Sequence, residues 1–131
     1  MNASIALARH RLSRAHTALK EADILIEQGQ SGGAINRIYY AAFHAARALL
    51  ALHRVDSSRH SGVIALFQRH FVKTGIVPDD IARVLPRAFT KRQVSDYGDF
   101  AETSVTEVSL LRDEVRLFIG ACEAALIASE S

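Results

Sequence analysis

Apolar residues recur every three or four positions along nearly the whole chain, the spacing that places them on one side of an α-helix. The first such run covers residues 4–28 and contains Ile5, Ala8, Leu12, Ala15, Leu19, Ala22 and Ile26. A glycine-rich cluster at residues 29–33 then stops this helix, because glycine is a poor helix former and favours helix ends. No segment alternates apolar and polar residues as a half-buried β-strand would. The pattern therefore predicts a protein made of helices alone.

The same spacing predicts four further helices, over about residues 34–52, 56–75, 78–96 and 105–126. Asp56, Ser57 and Ser58 are suitable caps for the third helix, and Gly75 should end it. Pro86 lies within the fourth helix and should either kink it or mark a new first turn. Short loops between long amphipathic helices make neighbours antiparallel. We therefore expect an all-α fold, an antiparallel up-and-down bundle of four main helices with a shorter helix inserted.

The composition is that of an ordinary globular protein, and 131 residues are enough for a single domain, here residues 1–131. The single Cys122 has no partner within the chain, which favours a reducing compartment and a cytoplasmic location. The longest apolar region, residues 38–52, is interrupted by His44 and Arg47 and is too short to span a membrane. The N-terminus lacks the apolar run of a signal peptide. A net charge of +2 neither requires nor excludes a nucleic-acid partner.

Two stretches place charged or polar side chains inside apolar helical patterns. On the second helix, Arg37 and His44 lie two turns apart on one line beside the apolar face. On the fourth helix, Arg92 and Asp96 fall on the apolar stripe and should point into the bundle. Burying a guanidinium or an imidazole without a partner is costly, so such residues are either paired or used in a site.

Four segments of the chain resemble one protein family. They are RIYYAAFHAARALL at residues 37–50, SRHSGVIALF at 58–67, HFVKTG at 70–75 and RQVSDYGDF at 92–100. In this order they resemble the small stand-alone prokaryotic members of the HEPN domain family, over essentially the whole chain. The resemblance implies a helical bundle, frequent dimerisation, and frequent pairing with a minimal nucleotidyltransferase as a toxin–antitoxin module. Many HEPN proteins are metal-independent endoribonucleases.

The chain departs from the family at the residue that matters for catalysis. HEPN ribonucleases carry an arginine followed, after four to six residues, by a histidine on the late helix. Here Arg92 is followed by Asp96 and Tyr97, and no histidine occurs after it. Metal-free RNA cleavage needs groups that titrate near neutrality, whereas tyrosine titrates near pH 10. Arg37 and His44 satisfy the bare spacing on a different helix, which we interpret as a coincidence.

Each candidate residue also has a structural explanation. Arg92 and Asp96 could form a structural ion pair. The aromatic residues Tyr39, Tyr40 and Phe43 fit core or dimer packing better than base stacking, and His44 fits a hydrogen-bonded interior position better than a catalytic one. His60, near a helix start, could bind a phosphate through backbone amides or simply belong to the cap. We expect no metal and no cofactor, because the histidines show no metal-ligand spacing.

Three functions remain open. We favour a binding module for nucleotide or RNA phosphate that acts with a nucleotidyltransferase partner and forms a homodimer. The alternatives are a metal-independent endoribonuclease toxin and a purely structural helical subunit. Catalytic residues cannot be assigned, and the candidate ligand-binding residues are Arg37, Tyr40, His44, His60, Arg92, Asp96 and Tyr97.

Overall fold

Within residues 3–97 and 103–130, which the computed structural model describes, the chain forms six α-helices and no β-strand. The helices are α1 (Ala3–Glu27), α2 (Ser31–Leu52), α3 (His60–Phe67), α4 (Asp79–Ala82), α5 (Val84–Tyr97) and α6 (Val105–Glu130). A π-helical segment, Gln68–Val72, continues α3. The all-α prediction is confirmed. The inserted part consists of α3 with its π-helical segment and the single turn of α4, between the four main helices α1, α2, α5 and α6.

Ion pairs between helices show how the main helices run. Four pairs join α1 to α6, namely Arg9–Glu130, His16–Glu123, Asp23–Arg112 and Asp23–Arg116. Residue numbers rise along α1 as they fall along α6, so these helices are antiparallel. The pairs Arg87–Glu114 and Lys91–Glu107 show the same for α5 and α6. The predicted up-and-down arrangement is therefore present.

Helix α2 is the centre of the bundle, and fourteen of its 22 residues are buried. It packs against α1, α3, α5 and α6. Seven of the buried residues are alanines, namely Ala34, Ala41, Ala42, Ala45, Ala46, Ala48 and Ala51. Such small side chains let neighbouring helices approach closely on several sides. Polar residues on α2 such as Arg37, Tyr40 and Arg47 are consequently at least partly covered by neighbouring helices, and His44 is buried.

The start of α2 differs from the sequence expectation, and the structure decides between the two alternatives for Pro86. Gly29 ends α1 with a φ of +72°, a left-handed conformation that favours glycine. Helix α2 then begins at Ser31, whereas the sequence predicted a start at about residue 34. Gly32 and Gly33 therefore belong to this helix. Pro86 is the third residue of α5, where a missing backbone N–H does not interrupt the helix. It marks a new first turn and not a kink.

The predicted caps of α3 are wrong. Arg59 occupies the N-cap position, and no side chain caps the helix. Asp56 instead binds Arg47, and the Ser57 hydroxyl accepts a hydrogen bond from the Arg59 backbone N–H at 3.2 Å. A Cβ atom at Gly62 would lie 2.0 Å from the Ser57 hydroxyl oxygen, so this turn requires a glycine. The polar residues before the apolar run therefore predicted the position of the loop correctly. They did not predict which groups their side chains bind.

The aromatic residues of α2 are mostly internal. Tyr39 is fully buried, Phe43 is 8% exposed, and only Tyr40 is half-buried. Tyr39 and Phe43 therefore serve core packing, one of the two roles expected for these side chains, because contacts within the bundle cover them. Large exposed apolar side chains lie elsewhere, including Val94 on α5 and Leu110 on α6. Dimerisation itself stays a prediction.

Among the described helices, none combines the length and apolar character needed to cross a membrane.

Candidate functional site

A half-buried tyrosine on α2, Tyr40, lies at the centre of the predicted site residues. The Cζ atom of Arg37 is 5.1 Å from the centroid of the Tyr40 ring, and that of Arg92 on α5 is 5.2 Å from it. The His60 ring on α3 meets the Tyr40 ring edge-on at 6.0 Å. Three helices thus bring Arg37, Tyr40, His60 and Arg92 together. We call these four residues the Tyr40 face.

Tyr39, the neighbouring residue on α2, supports the Tyr40 face from inside the bundle. Its hydroxyl lies 2.6 Å from Nδ1 of His60, and the two rings stack at 5.5 Å. Burial raises the pKa of Tyr39, and burial followed by the nearby Arg92 lowers the pKa of His60. Both shifts favour a neutral pair in which the tyrosine hydroxyl donates and Nδ1 accepts. A side-chain hydrogen bond therefore orients the His60 ring.

Arg92 has hydrogen-bonding capacity left over. Its guanidinium lies over both Tyr39 and Tyr40, and its Nε is 3.3 Å from a carboxylate oxygen of Asp96 in an ion pair. That nitrogen is buried and donates no hydrogen bond to a described residue. Asp96 is exposed, so the expectation that both side chains point into the bundle is wrong for Asp96. The long arginine side chain reaches the aromatic rings, whereas the short aspartate stays at the surface. The side chain of Tyr97 lies outside the described residues.

Arg37 and His44 line one cavity, of about 270 Å³, between α1 and α2. Arg14 and Glu21 line it from α1, and Glu21 pairs with Arg37 at 3.2 Å. His44 is 8% exposed, and its Nδ1 is buried without a hydrogen-bond partner. Burial, and then the nearby arginine charges, lower the pKa of His44 to about 4. We call this space the His44 cavity, and its imidazole is neutral at pH 7.

Asp56 holds two arginines beside the His44 cavity. Its carboxylate accepts hydrogen bonds from Nε and Nη2 of Arg47 at 3.2 and 2.6 Å. Arg11 of α1 contacts the same carboxylate at 3.3 Å. The hydrogen bond from Arg47, followed by that from the Ser57 backbone, lowers the pKa of Asp56 although burial opposes the shift. Arg11 and Arg47 thus lie close together because one carboxylate binds both.

Sequence reasoning assigned no role to the α1 residues that face α2, Arg11, Arg14 and Glu21. The signal available was their spacing, since offsets of three, seven and ten place residues on one side of a helix. That signal does not say which neighbour the charged side faces. The pairing of α1 with α2, which decides it, is visible only in the fold.

The other histidines do not join either group. Nδ1 of His53 lies 3.4 Å from Nδ1 of His70, and His16 pairs with Glu123 at 2.8 Å. Across residues 3–97 and 103–130, no three side chains of histidine, cysteine, aspartate or glutamate are close enough to hold a metal ion. Cys122 is buried, which raises the pKa of its thiol.

A larger and more apolar groove, of about 600 Å³, lies between α5 and α6. Val94, Leu110 and Leu111 contribute its apolar lining. Its charged lining residues are Arg87, Lys91, Glu107 and Glu114, which form the two ion pairs between α5 and α6. None of the predicted site residues whose side chains are described lines this groove, so the polar candidates and this apolar groove are separate features.

A model of the HEPN domain family matches residues 8–125. The chain belongs to the HEPN domain family. This confirms the resemblance drawn from the four sequence segments. The HEPN chain is 38% identical over 102 residues to a UPF0332 protein of Thermotoga maritima, an alignment that covers 78% of this chain and 77% of the relative. It is 31% identical over 104 residues to a protein of Methanocaldococcus jannaschii named "Putative toxin MJ0605", covering 75% of this chain and 78% of the relative.

This HEPN protein does not present the late-helix histidine of the family's ribonucleases, because the sequence contains no histidine after His70. Arg37 and His44, the other arginine and histidine at that bare spacing, do share a cavity. A neutral imidazole can accept a proton, but one with a pKa of about 4 is a weak base at pH 7. The surrounding arginines, which help to lower that pKa, would attract an anion. The geometry therefore supports anion binding better than proton transfer.

Proposed function

We propose that this HEPN protein binds a nucleotide or RNA phosphate at the Tyr40 face and acts with a minimal nucleotidyltransferase in a toxin–antitoxin type module. The observation that carries the binding proposal is the half-buried Tyr40 ring, whose centroid lies 5.1 Å from the Cζ atom of Arg37 and 5.2 Å from that of Arg92. An aromatic ring accessible to solvent beside two cations suits both parts of a nucleotide. The ring can stack on a base, and the guanidinium groups can bind phosphate.

The relatives support the toxin part of this proposal. Two proteins of Methanocaldococcus jannaschii that match this chain bear the name "Putative toxin". A toxin that sequesters or processes RNA needs an RNA-binding surface, and the Tyr40 face is a cationic and aromatic one. The endoribonuclease alternative is favoured by one specific observation, the shared cavity of Arg37 and His44.

Replacing Arg92 with alanine should weaken binding of a single-stranded RNA of about ten nucleotides by roughly tenfold or more, because a charge-assisted contact to an RNA phosphate is lost. Fluorescence anisotropy of a labelled RNA measures the effect. Removing one phosphate contact should also reduce the slope of log affinity against log salt by about one. Circular dichroism should show that the variant stays helical.

Arg83→Ala is the matched control for Arg92→Ala. Arg83 also pairs with an aspartate four residues away, Asp79, but it is exposed and lies outside the Tyr40 face. Its replacement should leave RNA affinity within about twofold. If Arg92→Ala unfolds the protein and the unmodified chain binds no RNA or mononucleotide, the structural-subunit alternative replaces the proposal.

The endoribonuclease alternative predicts a different result. Purified protein should then cleave RNA in the presence of a metal chelator, and His44→Ala should abolish cleavage while the helical signal persists. Our proposal expects intact RNA on a denaturing gel under the same conditions, because no residue in the His44 cavity supplies a strong base at neutral pH.

The partner proposal has its own test. Co-expression with a nucleotidyltransferase encoded beside this gene should give a complex that survives size-exclusion chromatography, and the HEPN protein expressed alone should slow growth of its host more than the pair does. Separate elution of the two proteins would contradict the module.

Light scattering of the purified chain should give the mass of a homodimer. A monomeric mass at micromolar concentration would contradict the homodimer.

A further inference from the structure

Two polar groups in the His44 cavity have no partner. Nδ1 of His44 is buried without a hydrogen bond, in a side chain that is 8% exposed. Arg14 lines the same cavity and makes no ion pair or hydrogen bond with any residue in the described part of the chain. Buried polar groups are nearly always hydrogen-bonded, so an unsatisfied imidazole nitrogen beside a cation that pairs with no described residue suits a polar, anionic ligand.

The charges around His44 are unbalanced. The charged groups that face it are Arg11, Arg14 and Glu21 of α1, Arg37 and Arg47 of α2, and Asp56 of the loop that follows α2. Glu21 pairs with Arg37, and Asp56 binds both Arg11 and Arg47. Four guanidinium groups against two carboxylates leave two positive charges while His44 is neutral. A ligand with two negative charges would balance them.

We propose that the His44 cavity binds the terminal phosphate of a phosphate monoester, held by Arg14, Arg37 and a protonated His44. A volume of about 270 Å³ accommodates a phosphate group with several waters, since each water takes about 30 Å³. A monoester phosphate carries close to two negative charges at neutral pH, whereas a phosphodiester carries one. The dianion offsets the arginine charges that oppose protonation, so His44 takes up a proton and donates a hydrogen bond.

This inference rests on the proposed function in one respect, because the phosphate would belong to the nucleotide or RNA end that the Tyr40 face binds. Arg37 belongs to both sites, and the Tyr40 ring lies 6.0 Å from the His44 ring. A ligand could therefore place its terminal phosphate in the cavity and its base against Tyr40.

The test measures the ionisation of His44 directly. The ring signals of His44 are followed by NMR between pH 4 and 8, first without an anion and then with inorganic phosphate. Sulfate serves in a parallel titration, because its charge does not change in this range. Either anion should raise the pKa of His44 by about two units. Calorimetry of sulfate binding in two buffers at pH 6 should show proton uptake, whereas phosphate, which is mostly a monoanion at pH 6, supplies that proton to His44 itself. An unchanged His44 titration at tens of millimolar of both anions would overturn the proposal.

Arg14→Gln provides the matched variant, because Arg14 is exposed and its loss should not affect folding. It should weaken phosphate binding by about tenfold, the effect of one charge-assisted hydrogen bond. Arg69→Gln removes the same charge from an exposed site outside the cavity and should have no comparable effect. Equal effects of the two variants would mean a general ionic-strength response and would refute a specific site.

Competition identifies the source of the phosphate and separates this inference from the proposed function. A nucleoside monophosphate should displace inorganic phosphate, whereas a dinucleoside with only an internal phosphodiester should not. Displacement by the diester would overturn the preference for a terminal phosphate. Arg92→Ala should weaken RNA binding but leave inorganic phosphate binding intact. RNA binding without any phosphate effect on His44 would refute the cavity site alone, and the reverse result would refute the Tyr40 face alone.

Discussion

Replacing Tyr39 with alanine is expected to lower the free energy of unfolding by about 3–5 kcal/mol, the usual cost of removing a buried aromatic side chain. The Tyr39 side chain is fully buried. Its ring contacts Phe43 on α2, His60 on α3 and Phe89 on α5, at centroid distances of 5.7, 5.5 and 5.6 Å. One side chain therefore joins three helices, and its loss leaves a cavity between them. Urea denaturation followed by circular dichroism measures the effect.

Tyr39→Phe is the control that separates packing from hydrogen bonding. It keeps the ring but removes the hydroxyl that lies 2.6 Å from Nδ1 of His60, and it should cost about 1 kcal/mol. If the alanine variant lost no more stability than the phenylalanine variant, packing of the Tyr39 ring between the three helices would not stabilise the fold. RNA affinity of Tyr39→Phe also reports whether the orientation of His60 matters at the Tyr40 face.

Acid should destabilise the protein through His44, by about 3 kcal/mol between pH 6.5 and 4. The folded state lowers the pKa of His44 to about 4, below its ordinary value of 6.5. Well above pH 6.5 His44 is neutral in both the folded and the unfolded state, so it contributes nothing to the pH dependence of stability there. As the pH falls from 6.5 to 4, the unfolded chain is protonated and the folded protein is not, which favours unfolding. The lowered pKa of His60 acts in the same direction.

His44→Gln should flatten this dependence. Chemical denaturation at several pH values between 4 and 8 gives the slope for each variant. His10→Gln serves as the control, because the exposed His10 ring lies in solvent in both states. A slope unchanged by His44→Gln would contradict the buried neutral imidazole.

Asp56 contributes in a different pH range. Its pKa is lowered in the folded state, so its contribution to stability is lost only as the pH falls below the ordinary range of a carboxyl group.

The helices themselves could be predicted from the sequence because their signal is local. The apolar spacing of residues 4–28 and 105–126 identifies helices α1 and α6, and the glycine at position 29 marks a true end. The HEPN family was likewise accessible, because its residues lie in continuous segments. Helix boundaries and family membership can both be recognised from residues that are close together in the sequence.

The partners of polar residues could not be predicted in the same way. Asp56 has the residue type and position of a helix cap, yet its carboxylate binds Arg47 and Arg11. The choice depends on which cations the fold places within reach, and Arg11 comes from a different helix. For the same reason the sequence suggested Arg37 and His44 as site residues but not Arg14, which completes their cavity from α1.

The central position of α2 has a consequence for how the chain acquires its structure during synthesis. Helices α1 and α2 are adjacent in sequence and can pair early, since closing a short loop costs little entropy. Helix α6 also packs against α2, but it is translated more than fifty residues later. Until α6 leaves the ribosome, one side of α2 stays uncovered and is open to aggregation or to chaperone binding. Nascent chains that stop before residue 105 should therefore be the species that a cell's quality control removes.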